Sequence, residues 1–142
     1  MIAQRFILNS QGDLPVPQSV HGAMCDLAGK SAPQECCGIL VGEGGVITRL
    51  IESENVHPTP ETHFEIDPET LIDAYRSERR GGPEVLGFFH SHPSGDPAPS
   101  ETDQAMAAGD GRIWAIVGVS GVMFWEDKDS GFAALSYTVL DN

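Results

Sequence analysis

"EVLGFFHSHPSGDPAPSETD", residues 84–103, is the stretch that decides the fold. After Glu84 it opens as a nearly continuous apolar run, the pattern of a central strand buried on both faces. It closes on Ser100-Glu101-Thr102-Asp103, an S-x-x-D spacing before an alanine-rich segment, which is the signature of a helix capping box. Pro93, Gly95, Pro97 and Pro99 lie between. A loop so restricted has little entropy to lose and can return the helix start beside the strand end. Buried strand, stiff loop and helix together read as part of an α/β protein.

Upstream, "CGILVGE" (37–43) and "VITRLIES" (46–53) predict two strands, with Glu43-Gly44-Gly45 as the hairpin turn. From Pro17, the residues Val20, Ala23, Met24 and Leu27 recur at i, i+3, i+4 and i+7, one face of a helix ending near Gly29 or Pro33. "RFIL" (5–8) suits a short strand and "NSQGDLP" (9–15) a loop. "NVHPTPETHF" (55–64) is a proline-rich connection. Asp67-Pro68 starts a second helix. Leu71, Ile72 and Tyr75 form its buried stripe, and Gly81-Gly82-Pro83 stops it.

Downstream, "IWAIVGVS" (113–120), "VMFWED" (122–127) and "FAALSYTVL" (132–140) predict three more strands. The order β-α-β-β-α-β-α-β-β-β predicts a mixed sheet with helices packed on it.

The 142 residues fit one domain, 1–142, and 40% hydrophobic content supports an ordinary core. No stretch approaches the roughly 18–20 apolar residues of a membrane span. "MIAQRFILNS" lacks the pattern of a signal peptide, so a cytoplasmic location is expected. Cys25, Cys36 and Cys37 offer neither a disulfide framework nor a C-x-x-C, and they read as small core residues in a reducing compartment. The net charge of -13, with two lysines, argues against nucleic-acid binding. It fits a cationic partner surface or a salt-rich medium that screens self-repulsion.

His90 and His92 stand at i and i+2. In extended backbone they project to one face and can share a metal ion. They also lie where α/β sheets place ligands, at the carboxyl end of a buried strand. Alone, they are equally two exposed strand-end histidines. Ser100 and Asp103 are fully explained by a helix cap, although an aspartate in the first turn also has its ionised form favoured by the helix dipole. Two histidines and an aspartate form an N/N/O set suited to zinc with an open position. Such a site needs a base, and Glu35 in "PQECCGILVG" is the candidate; by itself it is an ordinary loop glutamate.

The combination Glu35 … His90-x-His92-x7-Ser100-x2-Asp103 resembles the JAMM (MPN+) metalloprotease signature, E … H-[ST]-H-x7-S-x2-D, with Ser91 between the histidines. "PQECCGILVG", "GFFHSHPSGDPAPSETD" and "WAIVGVS", in that order, are similar to the small prokaryotic branch, and the resemblance covers roughly residues 5 to 140. It implies a three-layer α/β/α fold with a mixed sheet, cytidine-deaminase-like, as a single JAB/MPN domain. It implies that His90, His92 and Asp103 hold Zn²⁺, that Glu35 is the general base, and that Ser100 donates to the oxyanion.

The resemblance further implies a zinc metallopeptidase acting at the C-terminal Gly-Gly of a ubiquitin-like or sulfur-carrier protein. Two alternatives stand beside it. A non-catalytic MPN scaffold typically lacks part of the motif, which is intact here. A RadC-like protein is favoured by "HPSGDPAPS" but not by "PQECCGILVG". The motif does not claim His21, His57 or His63, which read as surface or core-edge residues. Trp114, Trp125, Phe88 and Phe89 read as core or groove wall.

Overall fold

The computed structural model describes residues 5–141. The elements are β1 (Leu14–Pro17), α1 (Gln18–Ser31), β2 (Cys37–Glu43), β3 (Val46–Ser53), α2 (Pro68–Arg79), β4 (Glu84–Ser91), α3 (Glu101–Met106), β5 (Ile113–Gly118), β6 (Gly121–Lys128), β7 (Gly131–Leu135) and β8 (Tyr137–Leu140). Six strands form the main sheet in the order β3-β2-β4-β5-β6-β7. Its β4–β5 pair is parallel and its other neighbours are antiparallel. Parallel neighbours cannot be joined by a tight hairpin. The segment from His92 through α3 is the crossover between them. His90 and Ser91 therefore stand at the carboxyl end of β4.

Side-chain alternation along the strands builds three layers. Leu40, Leu86, Phe89, Ile113 and Ala115 pack with Val20 and Met24 of α1 on one face. Ile39, Val41, Val85 and Phe88 pack with Leu71, Ala74 and Tyr75 of α2 on the other. The fold is the expected α/β/α sandwich around a mixed sheet. Each large apolar side chain buried here contributes about 1.5–3 kcal/mol. Phe89 is fully buried, so its truncation to alanine costs about 3–5 kcal/mol. Helix α2 begins as expected: Asp67 accepts the Glu69 N–H at 3.2 Å, with Pro68 in the first turn.

Several expectations are corrected. Residues 5–8 form no strand; Ile7 N–H bonds the Gly45 carbonyl at 2.9 Å, and the buried Phe6 anchors the segment. The expected loop instead runs into β1, which pairs in parallel with β8. Pro15 and Pro17 hide this strand in the sequence, because proline lacks a ladder donor and is tolerated only at sheet edges. Leu14 and Val16 between them are fully buried.

"FAALSYTVL" is two strands, not one. It changes sheets at Ser136, whose carbonyl accepts the Leu14 N–H at 2.8 Å. On α2, Ile72 is 51% exposed. The helix meets the sheet through Ala74, and Ile72 shares the solvent face with Arg76 and Arg79 at i+4 and i+7. Ala23 on α1 is exposed as well. Cys36 and Cys37 are buried but Cys25 is exposed, so only two of the three cysteines belong to the core.

Candidate metal centre

Extended backbone at the end of β4, continued past Ser91 by the His92 N–H bond to the Val117 carbonyl at 2.8 Å, brings His90 and His92 together as their spacing predicts. Their Nε2 atoms lie 3.0 Å apart. Asp103, at the third position of α3, brings Oδ2 to 3.1 Å from each of them. Ser100 fixes that carboxylate through a complete capping box. Its Oγ accepts the Asp103 N–H at 3.0 Å, and its own N–H donates to Asp103 Oδ2 at 2.9 Å. One motif thus ends the loop, starts the helix and aims the carboxylate at the imidazoles.

Tertiary contacts hold each ring. His90 is fully buried, stacked on Phe64 with centroids 4.2 Å apart and edge-on to Trp114 at 5.7 Å. The His92 ring places Nδ1 2.7 Å from the Asp96 carbonyl. A carbonyl only accepts, so Nδ1 carries a proton, and in the neutral form of the ring the lone pair then lies on Nε2, facing inward.

The loop that supplies this carbonyl lies tightly against β5. A Cβ on Gly118 would sit 2.5 Å from Pro97 N, and Trp125 Nε1–H donates to Pro97 O at 3.0 Å. Only glycine permits that approach.

Glu35 precedes β2 and is 7% exposed. The start of β2 is pinned to the end of β4 by Ser91, whose Oγ accepts the Cys36 N–H at 2.9 Å and whose N–H donates to Cys36 O at 3.1 Å. Glu35, His90 and His92 each offer a ligand atom within 4.8 Å of the others. Burial pushes the Glu35 carboxyl up to about 7, with His92 pulling against the rise and Asp103 adding to it. Burial drives the His90 pKa down against its bond to Asp103. Burial opposes ionisation of Asp103 too, but the two imidazoles and the Ser100 N–H outweigh it and hold the carboxyl well below the usual range.

Two imidazole nitrogens and a carboxylate oxygen, mutually 3.0–3.1 Å apart, are at hydrogen-bond distance, and the same spacing lets them share one cation. Tetrahedral ligands bonded at about 2.0–2.1 Å lie roughly 3.3 Å apart, close to the observed spacing. His90 Nδ1 is the one buried side-chain polar atom without a hydrogen-bond partner among the described residues. Burying an imidazole at that cost, of about 1–3 kcal/mol, fits a ring held for its other nitrogen.

All five residues singled out in the sequence thus lie in one neighbourhood. The sequence reading missed Asp96, which acts through its backbone, and also Phe64 and the Ser91–Cys36 clasp. None of these carries a spacing signal. His57 and His63 stand apart from the cluster, stacked on each other at 4.6 Å in the connecting loop. An apolar groove of about 370 Å³, lined by Phe64, Leu71, Phe88, Met106 and Trp114 among others, flanks His90.

Comparison with known proteins gives the family. A desampylase of Haloferax volcanii is 34% identical over 93 residues, which are 64% of this chain and 67% of that protein. A probable TtuB-protein conjugate cleaving protease of Thermus thermophilus is 39% identical over 74 residues, 52% of this chain and 49% of that one. The crystal structure of a JAB1/MPN domain protein from Archaeoglobus fulgidus superposes with a TM-score of 0.62 at 19% identity, covering 91% of this chain and 98% of that one. The family model for prokaryotic homologs of the JAB domain matches residues 17–128, a span that contains Glu35, both histidines, Ser100 and Asp103, and the chain belongs to that family.

Proposed function

We propose that this protein is a zinc metallopeptidase of the JAMM type, acting as one JAB/MPN domain over residues 1–142. It hydrolyses the peptide or isopeptide bond that follows the C-terminal Gly-Gly of a ubiquitin-like or sulfur-carrier protein. The observation that carries this reading is the convergence of His90, His92 and Asp103 beside a buried Glu35. The names of the two relatives, a desampylase and a conjugate cleaving protease, support protein conjugates as the substrate class.

His90, His92 and Asp103 hold the zinc ion. Zinc bound there supplies Lewis-acid chemistry, polarising a carbonyl and lowering the pKa of water to about 7. Glu35 takes the proton of the attacking water. A base whose own pKa is near 7 suits that work at neutral pH. When the C–N bond breaks, Glu35 returns the proton to the leaving amine. The Ser100 Oγ accepts the Asp103 N–H, which leaves its own hydroxyl proton free to donate to the carbonyl oxygen as that oxygen becomes negative. Removing such a donor costs about 2.7–4 kcal/mol of transition-state stabilisation.

A diglycine suits the surroundings. Phe64, Trp114 and the 93–99 loop crowd the histidines, and glycine lets a backbone approach without a Cβ clash. An extended tail can reach the site by main-chain pairing. No helix among the described residues is long and apolar enough to cross a membrane. A cytoplasmic location with no membrane partner is part of this proposal, and the acidic charge supports the absence of a nucleic-acid partner.

The test fuses each sulfur carrier of the source organism to a short C-terminal extension and follows cleavage by intact mass. Zinc-dependent release after Gly-Gly is expected from wild type and is lost in Glu35→Gln, which keeps the shape but cannot take a proton. Cleavage that tolerates Leu-Leu in place of Gly-Gly overturns the diglycine requirement. No zinc-dependent cleavage of any carrier favours a non-catalytic MPN scaffold instead.

A further inference from the structure

Glu35 lies outside the regular part of β2, and both of its backbone polar groups are held by one loop. Its N–H donates to the Pro60 carbonyl at 2.7 Å. Its carbonyl accepts from the Asn55 Nδ2 at 2.9 Å. Asn55 also closes that loop on itself. Its Nδ2 donates to His63 O at 3.0 Å, and its Oδ1 accepts the N–H groups of His57 at 3.1 Å and Glu65 at 3.0 Å. A side-chain amide offers two donors and a carbonyl with two lone pairs, so it can make two bonds in each direction at once.

We propose that Asn55 is a positioning residue for the hydrolytic reaction. Its amide clamps the Glu35 backbone to the 55–65 loop and so sets the carboxylate at its working distance from the His90–His92 pair. The proposal rests on the reading of Glu35 as the general base. It is separable from the metal site. The ligands are placed by β4 and by the Ser100 capping box, neither of which touches Asn55. Within the loop, Phe64 stacks on His90. Zinc affinity therefore reports whether the whole loop has moved, and turnover reports whether Glu35 alone has.

The test compares wild type with Asn55→Ala and Asn55→Asp. Aspartate keeps the oxygen that accepts the His57 and Glu65 N–H groups and loses the donor to Glu35 O and His63 O, so it remains informative if the alanine variant folds poorly. Both variants are expected to lose about tenfold or more in kcat, as misplaced catalytic groups do, with KM and zinc affinity within about twofold of wild type. Amide hydrogen exchange on the metal-free proteins supplies a readout independent of activity. The Glu35 N–H should lose protection in both variants while the His90 N–H, inside β4, keeps it. Unchanged kcat with unchanged Glu35 protection overturns the proposal, and so does a loss of zinc affinity parallel to the loss of kcat. Should wild type cleave no carrier, the reading of Glu35 as base fails. The exchange measurement then still decides whether Asn55 holds its backbone.

Discussion

Ser100 and Asp103 exchange hydrogen bonds: the serine hydroxyl accepts the aspartate N–H at 3.0 Å, and the aspartate carboxylate accepts the serine N–H at 2.9 Å. The same carboxylate oxygen meets both His90 and His92. Helix capping and ligand orientation are thus one arrangement. The first predicted effect concerns their separation. Ser100→Ala removes the hydroxyl but keeps the backbone N–H that aims Asp103. It should lower stability by about 1 kcal/mol, retain zinc binding and lose turnover. Denaturant midpoints, zinc titration and turnover check this on one preparation. A variant that is less stable yet fully active would leave the hydroxyl with capping alone.

One zinc ion is expected per chain, with affinity that collapses in His92→Ala. At a hundredfold excess over the dissociation constant the ion should raise stability by about 2.7 kcal/mol. The metal-free protein should still fold, because Phe89, Leu86, Ile113 and their neighbours form a core that does not involve the ligands. Calorimetric titration and melting with and without chelator test both parts. Unchanged zinc affinity in His92→Ala would remove that ring from the ligand set.

Asp127 gives a pH dependence whose sign is fixed by its surroundings. Burial pushes its carboxyl up, opposed by the N–H groups of Gly109 and Ala108, while Asp110 adds to the rise. A carboxyl raised above its unfolded value of about 3.9 favours folding at low pH, and that contribution is lost as pH rises through the folded value. Asp127→Asn should therefore gain in stability relative to wild type as pH rises above about 4. Paired urea titrations at pH values below and above about 4 check the slope. A difference that moves the other way contradicts the assignment.

Thiol chemistry should distinguish the three cysteines. Burial pushes Cys37 up to about 12 and raises Cys36 as well, and both lie out of solvent. Since the thiolate is the reactive form, one of three thiols, the exposed Cys25, should react with a disulfide reagent in the native protein and all three in denaturant. Rapid native reaction at Cys36 or Cys37, mapped by peptide mass, would show that the start of β2 opens.

The candidate site was legible in the sequence to an unusual degree because its parts are local. His90 and His92 share a face by strand periodicity, and Ser100 and Asp103 pair by helix periodicity. Each relation spans at most three residues, so spacing exposes each pair; their joint reading as a metal site with Glu35 as base came from the resemblance to the JAMM signature. Helices α1 and α2 and the 37–53 hairpin were legible for the same reason, their apolar periods and turn residues being continuous in the chain. What spacing could not show was where those pieces meet.

Tertiary structure decided the rest through contacts between distant segments. Strand β1 exists because β8, more than a hundred residues later, offers it a partner; its own prolines argue against it. Ser136 turns the last apolar run into two strands for the same reason. Ile72 faces solvent because Ala74 is the residue that meets the sheet, a choice made by the α2 crossing and not by hydrophobicity. In the site, the sequence supplied the side chains whose chemistry allows cation binding and proton transfer, and the family resemblance proposed their roles. Tertiary structure determined that they can do so together, through the Asp96 carbonyl on His92, the Phe64 ring on His90, the Ser91 clasp on Cys36 and the Asn55 amide on Glu35. Periodicity relates residues along one element, whereas these bonds form across elements, where only the packed fold sets the distances.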